Sequence, residues 1–242
     1  MRRTQGNDPG VDKPADGPQS ASVTQALTSQ TGGAPFSVLL GGELVVTDRI
    51  RRQILGARAI AADSGMAHVA ALGLAVELWV GDFDSASPAL QAAYPNVPRQ
   101  TYPADKDKTD GEIAIDAALA LGATKLVLVG GLGGQTDHAL GNMALLLLLA
   151  GQDVRAYATS GREEAYPLTP GRFSIDLAPG SRLSVIALSP LFGLDISGVQ
   201  WPLTKADVKT GSTWTLSNVA TGPVSLGLIA GTGLVLAYPA DA

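Results

Sequence analysis

The chain has 242 residues, a formal net charge of −5, two histidines and no cysteine. Its length allows one large or two modest domains, each able to bury a hydrophobic core. General nucleic-acid and membrane-surface binders depend on basic surfaces, so the acidic balance argues against both kinds of partner. The lack of cysteine excludes disulfides, zinc–thiolate sites and thiol nucleophiles.

The sequence predicts neither membrane insertion nor export. The longest apolar run, residues 144–150, is far shorter than the roughly 20 residues that span a bilayer. The segment after Met1-Arg2-Arg3 lacks the apolar core of a signal peptide, so we expect a cytoplasmic protein. Residues 1–34 are rich in small and polar side chains without apolar periodicity, which predicts a disordered N-terminal tail.

Residues 35–161 alternate between short apolar runs and helical segments. One helix begins at Asp63-Ser64-Gly65, and another at Thr109-Asp110-Gly111-Glu112, which matches a capping box. A long apolar helix is predicted from about residue 137 to 149. The alternation predicts a mostly parallel, doubly wound α/β sheet. The predicted strands are 36–40, 58–62, 77–80, 100–102, 125–129 and 153–157.

Residues 162–242 show a different pattern. Helical periodicity is absent, and short extended runs recur between turn residues. This spacing predicts a second, smaller domain, an all-β antiparallel sandwich. The predicted strands of this domain are 172–177, 182–188, 193–196, 213–216, 224–229 and 233–237.

Three acidic or glycine-rich clusters each follow an apolar or extended run. The carboxyl ends of parallel strands meet at one edge of an α/β sheet, and ligands bind at that edge. We therefore expect the clusters to converge there. They are Gly81-Asp82-Phe83-Asp84-Ser85, Asp105-Lys106-Asp107-Lys108-Thr109-Asp110 and Gly130-Gly131-Leu132-Gly133-Gly134-Gln135-Thr136-Asp137-His138.

Carboxylates gathered at one edge repel one another unless a cation lies among them. A hard divalent ion such as Mg²⁺ prefers oxygen ligands and bridges phosphates. Lys106 and Lys108 lie between the carboxylates, and lysine binds phosphate as a point charge. A single Asp at a turn usually only hydrogen-bonds the backbone, but three clusters on successive strand ends favour a site. The pattern indicates metal-assisted transfer of a phosphoryl-type group.

These motifs, in this order and spacing, resemble those of thiamine pyrophosphokinases. The resemblance covers roughly residues 61–238. It depends on Ala62-Asp63-x-Gly65, on the acidic clusters after residues 80 and 104, on Gly133-Gly134-x-x-Asp137-His138, and on Ser217-Asn218. Any one of these motifs alone is weak, and together they are specific.

The resemblance implies that ATP donates a diphosphoryl group to the hydroxyl of thiamine, giving thiamine diphosphate and AMP. It implies Mg²⁺ as the cofactor and ATP as the co-substrate. Family members are usually homodimers whose active sites lie between the nucleotide-binding catalytic domain of one chain, here residues 35–161, and the thiamine-binding sandwich of the other, here residues 162–242.

The resemblance also implies a role for individual residues. Asp63, Asp82, Asp84 and Asp110 would hold Mg²⁺ or lie close to it, and Asp82, Asp84, Asp110 and Asp137 would form the catalytic set. Either Asp84 or Asp110 could accept the proton of the hydroxyl. Trp201, Ser217 and Asn218 would contact thiamine, with Trp201 stacking from the partner chain. The nucleotide side would comprise Lys106, Lys108, Thr109, Gly133, Gly134 and Gln135.

Two residues depart from the pattern of the family. Gln135 stands where the glycine loop usually carries Arg, and a neutral amide cannot fully replace a bidentate, permanently charged contact to phosphate. Ser64 stands where many members have Gly. Two other functions stay open for this sequence: a diphosphokinase for another alcohol, such as a hydroxymethylpterin, and a non-catalytic sensor of thiamine or nucleotide.

Overall fold

The computed structural model describes residues 35–103, 105 and 107–242. The predicted tail, residues 1–34, and Lys106 lie outside the described residues. No helix within the described ranges is long and apolar enough to cross a membrane.

Six parallel strands form the first half of the sheet, in the spatial order β4-β3-β2-β1-β5-β6. The crossover connections between these parallel strands place helices on both faces of the sheet. Residues of β1 alternate accordingly, with Val38 in one hydrophobic core and Leu39 in the other. The strands are β1 (Phe36–Leu39), β2 (Arg58–Ala62), β3 (Val76–Gly81), β4 (Arg99–Thr101), β5 (Lys125–Val129) and β6 (Arg155–Thr159).

Helices cover this half of the sheet and begin at recognisable caps. Thr47 and Ser87 cap α1 and α3 with their side chains, and Thr109 caps α4 as the capping box predicts. A 3₁₀ segment, Asp63–His68, follows β2 where the sequence predicts a helix, and α2 continues it. The helices are α1 (Asp48–Gln53), α2 (Val69–Leu72), α3 (Pro88–Ala93), α4 (Asp110–Ala120) and α5 (Thr136–Gly151).

The second half of the chain is antiparallel, so the sheet as a whole is mixed. The strand β7 pairs antiparallel with β6, and the order β11-β10-β12-β9-β13-β7-β6 continues the parallel half without a break, with β8 paired to β12. The strands are β7 (Glu164–Leu168), β8 (Gly171–Ile175), β9 (Arg182–Ala187), β10 (Leu191–Val199), β11 (Leu203–Val208), β12 (Asn218–Leu228) and β13 (Gly233–Tyr238).

The antiparallel strands share a hydrophobic core of their own, which draws side chains from every strand between β7 and β13. The long strand β12 joins two pairings, because its first residues pair with β9 and the rest pairs with β10 and β8. The predicted boundary between residues 161 and 162 falls in the connection between β6 and β7. Those two strands pair with each other in one sheet.

One predicted strand is wrong. Residues 213–216 form turns, in which the amide of Leu216 donates to the carbonyl of Thr213. Thr215 is buried, and its hydroxyl donates to the carbonyl of Val185 at 2.7 Å. The alternation of polar and apolar residues therefore reflects a turn that is hydrogen-bonded to β9.

Four elements were not predicted from the sequence. They are the strands β7 and β11 and the helices α1 and α3. In β7, Glu164 and Pro167 interrupt the apolar pattern expected of a buried strand.

Arg49 of α1 and Glu164 of β7 form a buried ion pair that joins the two halves of the chain. The guanidinium contacts both carboxylate oxygens, at 2.7 and 3.0 Å. The same carboxylate accepts hydrogen bonds from the hydroxyl of Tyr166 and the amide of Gln53. Burial alone lowers the pKa of Arg49, but hydrogen bonding and attraction to Glu164 hold it above the usual value. Each charge is thus compensated inside the protein.

We expect Glu164→Gln to lower the free energy of unfolding by about 3 kcal/mol, because it leaves the buried guanidinium with only the longer ion-pair contact to Asp241, at 3.4 Å. Chemical denaturation of the two proteins measures this difference. Glu77→Gln is the matched control, since Glu77 pairs with Arg58 at the surface and solvent already screens that pair. Equal losses in the two variants would contradict a special role for the buried pair.

Candidate active site

Three aspartates converge at the carboxyl edge of the parallel strands. Asp63 follows β2, Asp82 follows β3, and Asp110 is the first residue of α4. One carboxylate oxygen from each lies within 4.8 Å of the others. We call Asp63, Asp82 and Asp110 the carboxylate triad. The convergence of strand ends therefore brings together three of the four side chains predicted to hold a metal.

Asp84, the fourth predicted ligand, lies beside the triad and is exposed. Its backbone amide donates to the Asp82 carboxylate at 3.2 Å, and its own carboxylate accepts from the hydroxyl of Ser85 at 3.0 Å. Asp84 is therefore close enough to act on a group bound at the triad while remaining outside it.

The backbone of Asp63 is held in an unusual conformation. Its φ of 42° lies in the left-handed region, which Asp tolerates better than most residues. The indole of the buried Trp79 donates to the carbonyl oxygen of Asp63 at 2.8 Å. A Cβ at Gly81 would lie 3.2 Å from the Cβ of Asp63, so a larger residue there would crowd it. These contacts fix where the Asp63 carboxylate lies.

The electrostatics of the triad favour a bound cation. Burial raises the pKa of the Asp63 carboxyl above its usual value. A hydrogen bond with Ser85 lowers this pKa in part, and repulsion from Asp110, Asp84 and Asp82 raises it again. Asp63 is 8% exposed, and its Oδ1 has no hydrogen-bond partner among the described residues. A buried, unsatisfied oxygen among carboxylates fits a hard divalent ion such as Mg²⁺.

The loop between β5 and α5 lies at the same edge of the sheet. Gly130, Gly133 and Gly134 have positive φ, which glycine adopts without strain. The carbonyl of Gly131 accepts from the side-chain amide of Asn142 at 2.9 Å, which ties the loop to α5. We call residues 130–135 the glycine loop.

The outer part of the glycine loop is open to solvent. Gly133, Gly134 and Gln135 are exposed, and Gln135 immediately precedes the first residue of α5. Exposed backbone at the N-terminus of a long helix suits an anion such as a polyphosphate.

Three other predicted residues make local contacts. The hydroxyl of Thr109 accepts from the amide of Glu112 at 3.2 Å and so serves the start of α4. The ammonium of Lys108 lies 2.6 Å from Asp116 and 3.2 Å from Glu112, and these two carboxylates raise its pKa. The exposed Asp137 accepts from the amide of His138. Lys108 therefore faces carboxylates of α4.

One local structure contains the three residues that were predicted to bind thiamine, and we call it the Trp201 structure. Its members are Trp201, Ser217 and Asn218. The Asn218 side chain brackets the backbone of Trp201: its Oδ1 accepts from the Trp201 amide at 3.1 Å, and its Nδ2 donates to the Trp201 carbonyl at 2.7 Å. Ser217 has a φ of 59°, and its amide donates to the hydroxyl of Ser184. The Trp201 side chain stays 56% exposed. Asn218 thus orients an exposed aromatic ring.

Within one chain, this Trp201 structure and the carboxylate triad belong to distant parts of the sheet. Asn218 begins β12, and Asp63 follows β2, which is seven neighbouring-strand steps away in the strand order. Seven steps of about 4.8 Å give roughly 34 Å along a flat sheet. The twist of the sheet shortens this distance only in part. A ligand the size of thiamine diphosphate cannot bridge that distance.

Comparisons with known proteins agree with this geometry. The family model described as thiamin pyrophosphokinase, catalytic domain, matches residues 56–158. This range contains the carboxylate triad and the glycine loop. The chain is 28% identical to the thiamine pyrophosphokinase of Bacillus subtilis (strain 168) over 165 residues, which is 66% of this chain and 76% of that protein.

These two matches indicate the thiamin pyrophosphokinase family. Crystal structures of thiamin pyrophosphokinases share the fold. That of Bacillus subtilis has a TM-score of 0.74 at 22% identity and covers 85% of this chain and 99% of its own. That of Geobacillus thermodenitrificans has a TM-score of 0.71 at 24% identity and covers 84% and 97%.

Sequence reasoning missed residues that shape this site. Ser85 hydrogen-bonds the carboxylates of Asp63 and Asp84, and its place next to Asp84 in the motif was the available signal. Trp79 holds the carbonyl of Asp63, but nothing in the sequence relates these two residues. His68 contacts the loop after β1, where its Nε2 lies 3.0 Å from the carbonyl oxygen of Gly42.

Because burial, and to a lesser extent repulsion from neighbouring carboxylates, raises the pKa of Asp63, its ionised form destabilises the metal-free protein. The folded state binds the proton more tightly than the unfolded state, so this penalty is present at neutral pH and is lost as the pH falls through the folded-state pKa. We therefore expect Asp63→Asn to be more stable than the natural protein at pH 7 in the presence of a chelator.

This advantage should shrink as the pH is lowered toward 4, and thermal unfolding of both proteins across that range measures it. Asn tolerates the left-handed φ at residue 63, which makes the substitution conservative for the backbone. An Asn variant less stable than the natural protein at pH 7 would contradict the electrostatic reading of the triad.

Proposed function

We propose that this protein is a thiamine diphosphokinase, which transfers a diphosphoryl group from ATP to the hydroxyl of thiamine and releases AMP. The observation that carries the proposal is the carboxylate triad beside the glycine loop, in a chain that matches the family's catalytic domain. A diphosphokinase for another alcohol and a non-catalytic sensor are not favoured, since the relatives named above are thiamine pyrophosphokinases. Use of ATP as co-substrate agrees with a cytoplasmic location.

Asp63, Asp82 and Asp110 would hold Mg²⁺, because their oxygens already lie within reach of one ion. When bound, the ion supplies neutralisation of the phosphate oxygens, which is the main requirement of phosphoryl-type transfer. A carboxylate that holds the metal is a poor proton acceptor. Asp84 lies outside the triad and is exposed, so it is the better of the two candidates to accept the hydroxyl proton of thiamine.

The glycine loop would receive the phosphates of ATP. Its exposed amides at the N-terminus of α5 favour an anion, and Gln135 supplies a neutral donor where the family usually has Arg. Thr109 holds the start of α4 and so places Asp110. In the sequence Lys106 and Lys108 come shortly before Asp110, and we propose both as phosphate ligands. Lys108 must leave Asp116 and Glu112 to reach a phosphate. Asp137 lies in the first turn of α5 and would orient the reacting groups.

Thiamine would bind between two copies of the chain. The exposed ring of Trp201 offers a stacking surface for the aminopyrimidine, and Ser217 directly precedes the Asn218 that holds the Trp201 backbone. Because roughly 34 Å of sheet separates Asn218 from Asp63 within one chain, the Trp201 of a partner copy would complete each active site. The proposed enzyme is therefore a homodimer with shared sites.

Asp82→Asn and Asp110→Asn should each lower turnover at least about a hundredfold. Each variant loses one of the carboxylates proposed to hold Mg²⁺, and without the ion the phosphate charge is no longer neutralised. The assay follows thiamine diphosphate and AMP formed from ATP, Mg²⁺ and thiamine. Asp153→Asn is the matched control: Asp153 is exposed in the turn before β6, at the opposite edge of the sheet, and its φ of 59° also accepts Asn. Normal turnover in either triad variant would rule out the assigned site.

Shared sites can be tested by complementation. Asp82→Asn and Trp201→Ala chains should each be inactive as homodimers, and mixing them after dissociation should restore about one quarter of the natural activity. Half of the dimers are then mixed, and one of the two sites in each mixed dimer is intact. Recovery of no activity from dimers shown to have exchanged chains would exclude an active site built from two copies.

A further inference from the structure

The loops after β1, β2 and β5 pack backbone to backbone through glycines. A Cβ on Gly42 would clash with the carbonyl oxygen of Gly130, and a Cβ on Gly65 would clash with that of Leu39. The amide of Gly42 donates to the carbonyl of Gly130 at 3.1 Å. The segment that carries Asp63 and the glycine loop are therefore joined through the loop after β1.

His68 adds a side-chain contact to this junction. Its Nε2 lies 3.0 Å from the carbonyl oxygen of Gly42. A carbonyl oxygen only accepts hydrogen bonds, so Nε2 carries the hydrogen in this contact. The same Nε2 would lie 3.3 Å from a Cβ on Gly130. The ring therefore contacts the loop after β1 and packs against the first residue of the glycine loop.

His68 also has a direct structural relation to the carboxylate triad. It is the last residue of the 3₁₀ segment whose first residue is Asp63. Asp63 itself is fixed by its contacts with Trp79 and Gly81. One short, rigid segment thus presents a triad carboxylate at one end and a hydrogen bond to the glycine-loop junction at the other.

We propose that His68 is a positioning residue that fixes the glycine loop at the correct spacing from the carboxylate triad and thereby sets the affinity for ATP. This inference rests on the proposed function, in which the glycine loop receives the phosphates. The loop needs such a support because its glycines lose much conformational freedom on ordering. In a free loop, this conformational entropy would be lost when ATP binds, and the loss would weaken binding. A loop that His68 already orders has little such entropy left to lose.

His68 does not act as a metal ligand in this proposal. The group of described side chains able to hold a metal consists of Asp63, Asp82 and Asp110. The Nε2 of His68 is already used by Gly42. Its effect therefore reaches the nucleotide through the loop.

The test compares His68→Leu, which removes the donor at similar size, with His68→Gln, whose amide can replace the Nε2 donor. Calorimetric titration with ATP and Mg²⁺, without thiamine, gives Kd, and steady-state kinetics give KM and kcat. We expect His68→Leu to raise Kd and KM for ATP about five- to tenfold with kcat changed less than about twofold. His68→Gln should stay within about twofold of the natural protein in all three constants.

Val69→Ala controls for a loss of stability in the same segment. Val69 is buried at 5% exposure and makes no side-chain hydrogen bond, so its truncation should lower Tm and leave the Kd of ATP unchanged. If His68→Leu does not fold, His68→Asn replaces it, because the shorter amide cannot reach Gly42 from the same backbone. It should weaken ATP binding as His68→Leu does.

The proposal is overturned if His68→Leu or His68→Asn binds ATP as tightly as the natural protein, or if His68→Gln binds no better than they do. It is also overturned if Val69→Ala weakens ATP binding equally, since the effect would then follow stability alone. Failure of the natural protein to form thiamine diphosphate while it binds ATP would refute the proposed function and leave this comparison of Kd values valid.

Discussion

Repulsion among the carboxylates of Asp63, Asp82 and Asp110 is the constraint around which this structure is arranged. Three such groups within 4.8 Å of one another, one of them buried, are unfavourable unless a cation shares their charge. The fold maintains the arrangement through unrelated contacts: a left-handed φ at Asp63, an indole donor from Trp79 and the missing side chain of Gly81. Stability is given up locally at a position where an ion can restore it.

The strand order separates the carboxylate triad from the Trp201 structure within one chain. A continuous mixed sheet carries the triad near one end and the Trp201 structure near the other, and paired strands do not let these ends approach each other. The buried pair of Arg49 and Glu164 adds a second tie between the parallel and antiparallel parts. Within one chain the Trp201 ring lies far from the carboxylates along the sheet, and the proposed dimer therefore uses the Trp201 of a partner copy.

The glycines serve close packing at this edge as much as ligand binding. Gly42, Gly65 and Gly130 allow the ends of β1, β2 and β5 to pack directly on one another. As a result, the position of the glycine loop depends on the same few backbone contacts that place Asp63. The proposed metal site and the proposed phosphate site are therefore linked through the backbone, and His68 supplies the side chain at their junction.

Local patterns in the sequence determined much of this protein. The Thr109 cap, the start of α4 at Asp110 and the glycine loop before α5 depend on hydrogen bonds and φ angles within a few residues. Strand and helix alternation also placed the acidic motifs at one sheet edge. Contacts between distant residues were decided only by the tertiary structure. The sequence does not indicate that Glu164 meets Arg49, 115 residues away.

Nor does the sequence indicate that Lys108 faces Asp116, that residues 213–216 turn against β9, or that Asp84 stays outside the triad. These outcomes depend on which surfaces pack together. A periodicity in the chain shows that a residue has a buried side, but only the assembled sheet shows which partner it meets.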